Sequence, residues 1–129
     1  MPGLTDLAEM LRSLTVTRRP ESYTFVSRVE APSLGDGVAA VIEEPEGSTI
    51  VATVERAAAE GWPVDFEAAW LTLDVHSALE AVGLTAAFSA ALADAGIPCN
   101  VLAGFHHDHL LVPVERADDA LRALGTLSD

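Results

Sequence analysis

The sequence predicts an α+β protein made of two related units in tandem, the first a helix short of the second. Three observations lead there. The block Val54-Glu55-Arg56-Ala57 recurs as Val114-Glu115-Arg116-Ala117 at an offset of 60 residues, and each copy follows an apolar run, Ile50-Val51-Ala52 or Leu110-Leu111-Val112. Upstream, Tyr23-Thr24-Phe25-Val26 aligns with Leu71-Thr72-Leu73-Asp74 at an offset of 48, so the spacing grows by 12 residues, about one helix. Segments with apolar residues at every second position are interspersed with segments where they recur at three and four, the periods of strand and helix.

The elements follow in order. Leu4, Leu7, Leu11 and Leu14 predict an amphipathic helix over Thr5 to Leu14, capped by Thr5 or Asp6. Thr15 to Pro20 reads as a connector ended by Arg18-Arg19-Pro20. Ser22 to Val29, Val38 to Glu43 and Thr49 to Thr53 read as strands, separated by a turn over Pro32 to Gly37 and a tight Glu44-Pro45-Glu46-Gly47 turn. Val54 to Glu60 reads as a helix capped by Gly61. Trp70 to His76 alternates, with Leu71, Leu73 and Val75 on one face and Trp70, Thr72, Asp74 and His76 on the other. Leu84, Phe88, Ala91, Leu92 and Ala95 mark a helix closed by Gly96. Strands over Cys99 to Phe105 and His109 to Val114 flank a His106 to Asp108 turn, and Arg116 to Leu124 is the last helix. The second unit lacks a final strand of its own, so the Trp70 to His76 strand is expected to serve both units. The expected division is 1-21 as helix and connector, 22-67 as the truncated first unit and 68-129 as the second, in one integrated body.

Composition bounds what such a body does. The chain has 129 residues, half of them hydrophobic but only 5% aromatic, so the core is built from Ala, Val and Leu. Its formal charge is -13, and all seven of its cations are arginines. A chain this acidic is repelled by phosphate backbones and anionic membranes, so neither nucleic acid nor membrane is an expected partner. The absence of lysine excludes a P-loop and Schiff-base chemistry. The start of the chain does not read as a signal peptide and no apolar run is long enough to span a bilayer, which predicts a cytoplasmic protein. The lone Cys99 rules out an intrachain disulfide and a CxxC metal site, and its apolar neighbours predict a buried structural thiol.

The order of elements, with Gly96-Ile97-Pro98-Cys99-Asn100 leading into a strand, resembles an ACT domain, a ferredoxin-like regulatory module. Leu73 to Ala86 and Asn100 to His109 together resemble small stand-alone bacterial ACT proteins, related to the ACT modules of aspartate kinases. The long matching stretch runs from about Trp70 to Leu124; the Glu46-Gly47 turn matches more weakly and the first 20 residues add little. The resemblance implies ferredoxin-like βαββα-type units and the sensing of an amino acid or similar metabolite, without catalysis or cofactor. It also implies edge-to-edge sheet pairing into a homodimer. Carried over to this chain, the implied ligand contacts are Ser77, Val82, Gly83 and Leu84, then Asn100, and Asp108. The usual proline-glycine after the first strand is absent, and the first unit has no helix to offer the matching loop.

Each of these residues also has a structural reading. Ser77 stands three before Glu80, the spacing of a capping box, and its hydroxyl suits either a helix amide or a ligand carboxylate. Gly83 marks either a turn that needs positive φ or a place where amides meet an anion. Asn100, at the start of a buried strand, either satisfies edge amides or grips a ligand. His106-His107-Asp108-His109 invites a metal reading, with His76 as a further donor. In an extended segment, however, His106 and Asp108 face one way and His107 and His109 the other, so four consecutive residues do not readily share one ion. A hairpin turn, with Asp108 available to a cationic amine, is the expectation. No G-x-S-x-G elbow is present and no catalytic residue is expected. The alternative function is an assembly module without a small ligand, pairing its apolar strands with another chain.

Overall fold

The computed structural model describes residues 2–74 and 83–128. In chain order the elements are α1 (Pro2–Arg12), β1 (Thr15–Arg28), β2 (Val38–Glu44), β3 (Gly47–Thr53), α2 (Val54–Glu60), β4 (Ala68–Asp74), α3 (Leu84–Asp94), β5 (Asn100–Ala103), β6 (Asp108–Pro113) and α4 (Ala117–Gly125). Single 3-10 turns precede and follow α4, at Val114–Arg116 and Thr126–Ser128. The six strands are hydrogen-bonded in the order β2-β3-β1-β4-β6-β5. The strands β1 to β4 therefore neighbour one another as 4-1-3-2. The series β4, β5, β6 and back to β1 repeats that order, which is the ferredoxin-like arrangement. The expected sharing of β4 is present, and β1 is shared in the same way.

By contacts the chain divides into Met1–Arg19 with Ala69–Asp129, and an inserted unit, Pro20–Ala68. In the inserted unit β3 pairs antiparallel with β1 from Tyr23↔Thr53 to Arg28↔Ser48, and with β2 from Val38↔Ala52 to Glu44↔Gly47, with a bulge after Val38. Its core is Val26, Val38, Ile50 and Ala52, with Val41 and Trp62 packed against it. Residues 29–37 connect β1 to β2 without a helix, as the shorter repeat spacing predicts. In the outer unit Leu71 and Leu73 of β4, Leu84, Phe88 and Leu92 of α3, Leu110 and Val112 of β6, and Ala117, Ala120 and Leu124 of α4 form a larger core. Leu84, Phe88 and Leu92 of the predicted α3 face and Leu71 and Leu73 of the predicted β4 face are realised there, whereas Ala95 is exposed, Ala91 is half-buried and Val75 lies outside the described residues. Leu7, Leu11 and Leu14 pack onto that core from the amino-terminal end.

Several expectations are corrected. Thr15 to Pro20 is not a connector but the first part of a 14-residue strand. Pro20 lies before the β3 ladder, which begins at Tyr23, so its missing N–H breaks no rung of that ladder. The first helix starts at Pro2, placing Thr5 and Asp6 inside it rather than at its cap. β5 is shorter than expected because the Gly104 N–H donates to the His107 carbonyl at 2.9 Å and closes the turn there. Cys99 is half-buried rather than buried, and burial pushes its thiol above the ordinary value. The helix α2 and its left-handed cap at Gly61 (φ 72°) fall where the sequence predicts.

The repeated Val-Glu-Arg-Ala block has a shared physical task. Arg56 donates from Nη1 to the carbonyl of Asp36, 20 residues earlier, at 2.8 Å, and from Nε to Glu60 at 3.0 Å. Arg116 donates from Nη2 to the carbonyl of Ala95 at 3.1 Å and from Nη1 to that of Gly96, again 20 residues earlier, at 3.4 Å. Its Nε donates to Asp119, which Arg122 also contacts. Asp36 (φ 52°) and Gly96 (φ 71°) both sit in left-handed turns just before a strand. Each arginine thus ties the start of its helix to the turn that feeds the second strand of its unit. In the outer unit it also satisfies carbonyls at the end of α3.

Three outcomes follow from these contacts. Arg116→Ala is expected to lower stability by about 1–2 kcal/mol, from lost charge-assisted hydrogen bonds, read as a drop in the urea midpoint at unchanged m-value. Hydrogen bonding from Arg116, helped by Arg122, holds the Asp119 carboxyl below its usual range. Its stabilisation is present above the unfolded carboxylate pKa and is lost as pH falls through the lower folded value. The stability gap between the native chain and Asp119→Asn should therefore close on acidification, seen in urea melts from pH 7 to pH 3. Thr24, opposite Ala52, is fully buried, and its Oγ1 has no hydrogen-bond partner among the described residues. Thr24→Val removes an unsatisfied hydroxyl and should raise stability by roughly 1 kcal/mol in the same assay.

Candidate functional site

The polar face of β4 builds the most connected side-chain cluster of the outer unit. Alternation turns Leu71 and Leu73 to the core and leaves Trp70, Thr72 and Asp74 on the other face. Opposite them, β6 and its preceding turn present His109 and His107. Trp70 is buried, and its Nε1–H donates to Thr72 Oγ1 at 3.1 Å. Thr72 Oγ1 lies 3.0 Å from His109 Nδ1, and the indole and imidazole centroids are 5.1 Å apart. Two residues beyond Thr72 and two before His109, His107 Nδ1 lies 3.2 Å from Asp74 Oδ1, while Thr17 Oγ1 donates to Asp74 Oδ2 at 3.5 Å. From β1 the Arg19 guanidinium covers the Trp70 ring at 4.0 Å. Burial, followed by the positive fields of Arg19 and His107, pulls the His109 imidazole below its ordinary value. Asp108 and Asp74 oppose that shift. A neutral His109 either donates a hydrogen bond from Nδ1 to Thr72 Oγ1 or accepts one there, according to its tautomer, and in both cases one hydroxyl bridges indole and imidazole.

Gly104 is required at the tip of this hairpin. A Cβ there would lie 2.8 Å from the His107 carbonyl oxygen and 3.4 Å from His109 Nε2. The bare backbone lets the turn close and leaves the Nε2 edge of His109 without a neighbouring side chain on that side.

The sequence-derived contact residues fall in different places. Gly83 caps the start of α3 with φ 99°, a backbone that only glycine adopts readily, and a Cβ on it would meet Leu7 at 3.0 Å. The side chain of Leu84 is 3% exposed and belongs to the core, which leaves only its backbone for any ligand. Asp108 opens β6 opposite Ala103, half-buried. Asn100 pairs with Leu111, three ladder positions from Asp108, so the two stand apart along the hairpin. Among the described residues the strand Asn100 opens is the exposed outer edge of the sheet, not a buried strand, because none of them follows β5 in the strand order. Ser77 and Val82, like His76, lie outside the described residues. Sequence reading missed Thr17 and Arg19 because it took their segment for a connector. Alternation places Trp70, Thr72 and Asp74 on one face of β4 and His107 with His109 on one side of their segment, but it does not show that the two sets meet.

Two family models, each described as an ACT domain, match residues 2–69 and 65–126. The match to the first half begins at residue 2, so the amino-terminal segment carries more of the resemblance than its own sequence suggested. Among solved structures, a Vibrio cholerae protein of unknown function, described as a possible transport protein, is 40% identical over 98% of this chain and 99% of that one, with a TM-score of 0.86. A protein from Agrobacterium tumefaciens is 20% identical over 89% of each chain, with a TM-score of 0.66. The regulatory subunit of aspartate kinase from Thermus thermophilus, in its ligand-free form, is 16% identical over 88% of this chain and 97% of that one, with a TM-score of 0.62. No curated protein matches the chain. No helix among the described residues is long and apolar enough to cross a membrane.

Gly104→Ala is the sharpest test of the hairpin geometry. The substitution is expected to destabilise the outer unit by about 1–3 kcal/mol through the clash with the His107 carbonyl. Amide hydrogen exchange should speed up along β5 and β6 and stay unchanged in β2 and β3.

Proposed function

The chain belongs to the ACT-domain family, and on that premise we propose that it is a regulatory protein that senses an amino acid or a similar zwitterion and carries out no chemistry. The observation that carries this reading is that ACT-domain matches cover both halves of the chain, residues 2–69 and 65–126. ACT domains are typically small-ligand-binding regulatory modules, and the solved neighbours of this fold include a regulatory subunit of aspartate kinase. In this reading Ser77 and the backbone amides of Gly83 and Leu84 hold the ligand carboxylate, the last two opening the 11-residue helix α3, and Val82 is a further contact. Asp108 takes the amine, and Asn100 is an outer contact. The protein works in the cytoplasm as a homodimer.

A second reading has one observation in its favour. β5 is an edge strand whose Asn100, Val101 and Ala103 are exposed, and Phe105 beside it is 75% exposed. An uncovered edge of this kind suits pairing with another chain, which is the assembly-module reading.

A thermal-shift screen of the purified chain against the amino acids separates the two. Ligand at a hundred times its Kd adds about 2.7 kcal/mol of stability, a rise of several degrees in Tm. A selective, dose-dependent rise with one amino acid is expected, and it should disappear in a folded Ser77→Ala, Asp108→Ala double variant. The absence of any response at millimolar concentrations, together with self-association that Val101→Lys abolishes, would establish the assembly module instead.

A further inference from the structure

We propose that His107 and His109 form a two-imidazole site for a divalent transition-metal ion such as zinc, supported from behind by Asp74 and Thr72. The alternation that keeps four consecutive residues from sharing an ion is what selects this pair. Residues two apart on an extended segment project to the same side. Both imidazoles are anchored through the same nitrogen: His107 Nδ1 by Asp74 Oδ1 at 3.2 Å, and His109 Nδ1 by Thr72 Oγ1 at 3.0 Å. Asp74 is in turn held by the Thr17 hydroxyl, and Thr72 by the Trp70 indole. A metal-ligating histidine characteristically has its second ring nitrogen fixed by a carboxylate or other polar group, which orients the ring and sets its tautomer. Here each ring has that support, and each Nε2 remains as the donor.

The surroundings fit an ion. Gly104 places no side chain against His109 Nε2, and a β-carbon there would sit 3.4 Å away. The ring centroids are 6.4 Å apart, and two imidazoles binding one zinc at about 2.0–2.1 Å must approach more closely than that. Closing that gap moves His107 together with the Asp74 that anchors it, their side chains being 44% and 46% exposed. Two imidazoles supply half of a tetrahedral shell, and solvent supplies the rest. The formal charge of -13 raises the local concentration of cations around the chain. The His106 ring stands 6.3 Å from that of His107 and edge-on to Phe105, with centroids 5.0 Å apart, but no carboxylate or hydroxyl among the described residues anchors it, so it is not assigned to the site.

The test is calorimetric titration of zinc into the full, tag-free chain in a non-coordinating buffer. Saturable uptake of one zinc per chain is expected. Asp74→Asn should weaken it about tenfold by loosening the His107 ring, and His107→Gln or His109→Gln should weaken it at least that much. His106→Gln should leave it unchanged. Circular dichroism of each variant establishes that it is folded. Independently of any variant, zinc should shift the ring proton resonances of His107 and His109 in the native chain and leave those of His106 in place. The proposal is overturned by the absence of saturable binding below about 1 mM, the weak end of specific affinity. It is equally overturned by native-like uptake in a folded His107→Gln, His109→Gln double variant, or by loss of uptake in His106→Gln.

Discussion

The repeated arginine is the contact on which both units of this fold depend. A helix that follows a strand directly must be pinned in angle and height, or the strand it follows cannot hold its register. Arg56 and Arg116 do this with one planar guanidinium each, reaching back 20 residues to a carbonyl in a left-handed turn. Lysine would not substitute, since a point charge cannot serve two carbonyls and a carboxylate in fixed directions. The two units solve the same problem with different material. In the outer unit the carbonyls come from the end of α3. In the inserted unit, where that helix is missing, a Gly35-Asp36-Gly37 turn with three positive φ values presents the equivalent carbonyl. A Cβ on Gly37 would strike Thr53 Oγ1 at 2.7 Å and the β-carbon of Arg56 at 2.8 Å, so the turn is packed directly against the helix start it serves.

This explains why the Val-Glu-Arg-Ala copy was the clearest signal in the sequence. It encodes a contact whose geometry tolerates little change, while the strands around it need only be apolar at alternate positions. The fold was legible for the same reason: α2 with its Gly61 cap, the buried face of α3 and the two faces of β4 all follow from local periodicity. What stayed hidden depended on pairing at a distance. Thr15 to Arg19 looked like a connector because Arg18-Arg19-Pro20 is poor strand sequence, and only neighbouring strands make it one. Asn100 looked interior because β5 is apolar, yet its position at the end of the strand order leaves it exposed.

The site residues divide along similar lines. Gly83 announced its positive φ through the broken helical pattern around it, whereas the burial of Leu84 could not be separated by sequence from a role at a ligand. The polar network of Thr17, Arg19, Trp70, Thr72 and His109 joins residues from three strands, and no spacing within the chain records such a meeting. Its members are common residue types whose chemistry arises from adjacency. A single threonine hydroxyl links a buried indole to an imidazole, so Thr72 is the member through which the others are coupled.

The discontinuous outer unit has a consequence for the order in which the chain folds. Its two segments, Met1–Arg19 and Ala69–Asp129, are separated by the 49 residues of Pro20–Ala68. Joining them across an unstructured segment of that length would cost about 3.4 kcal/mol in loop-closure entropy, from the logarithm of the loop length. The intervening unit is continuous and rich in local hairpin contacts, so it can condense first at a lower entropic cost. Once it has, β1 emerges from it already straight and β4 follows within a few residues of α2, and the remaining search is short. The nucleus for the whole molecule then lies in the half that lacks a helix, and mutations there should slow folding while mutations in the larger core chiefly speed unfolding.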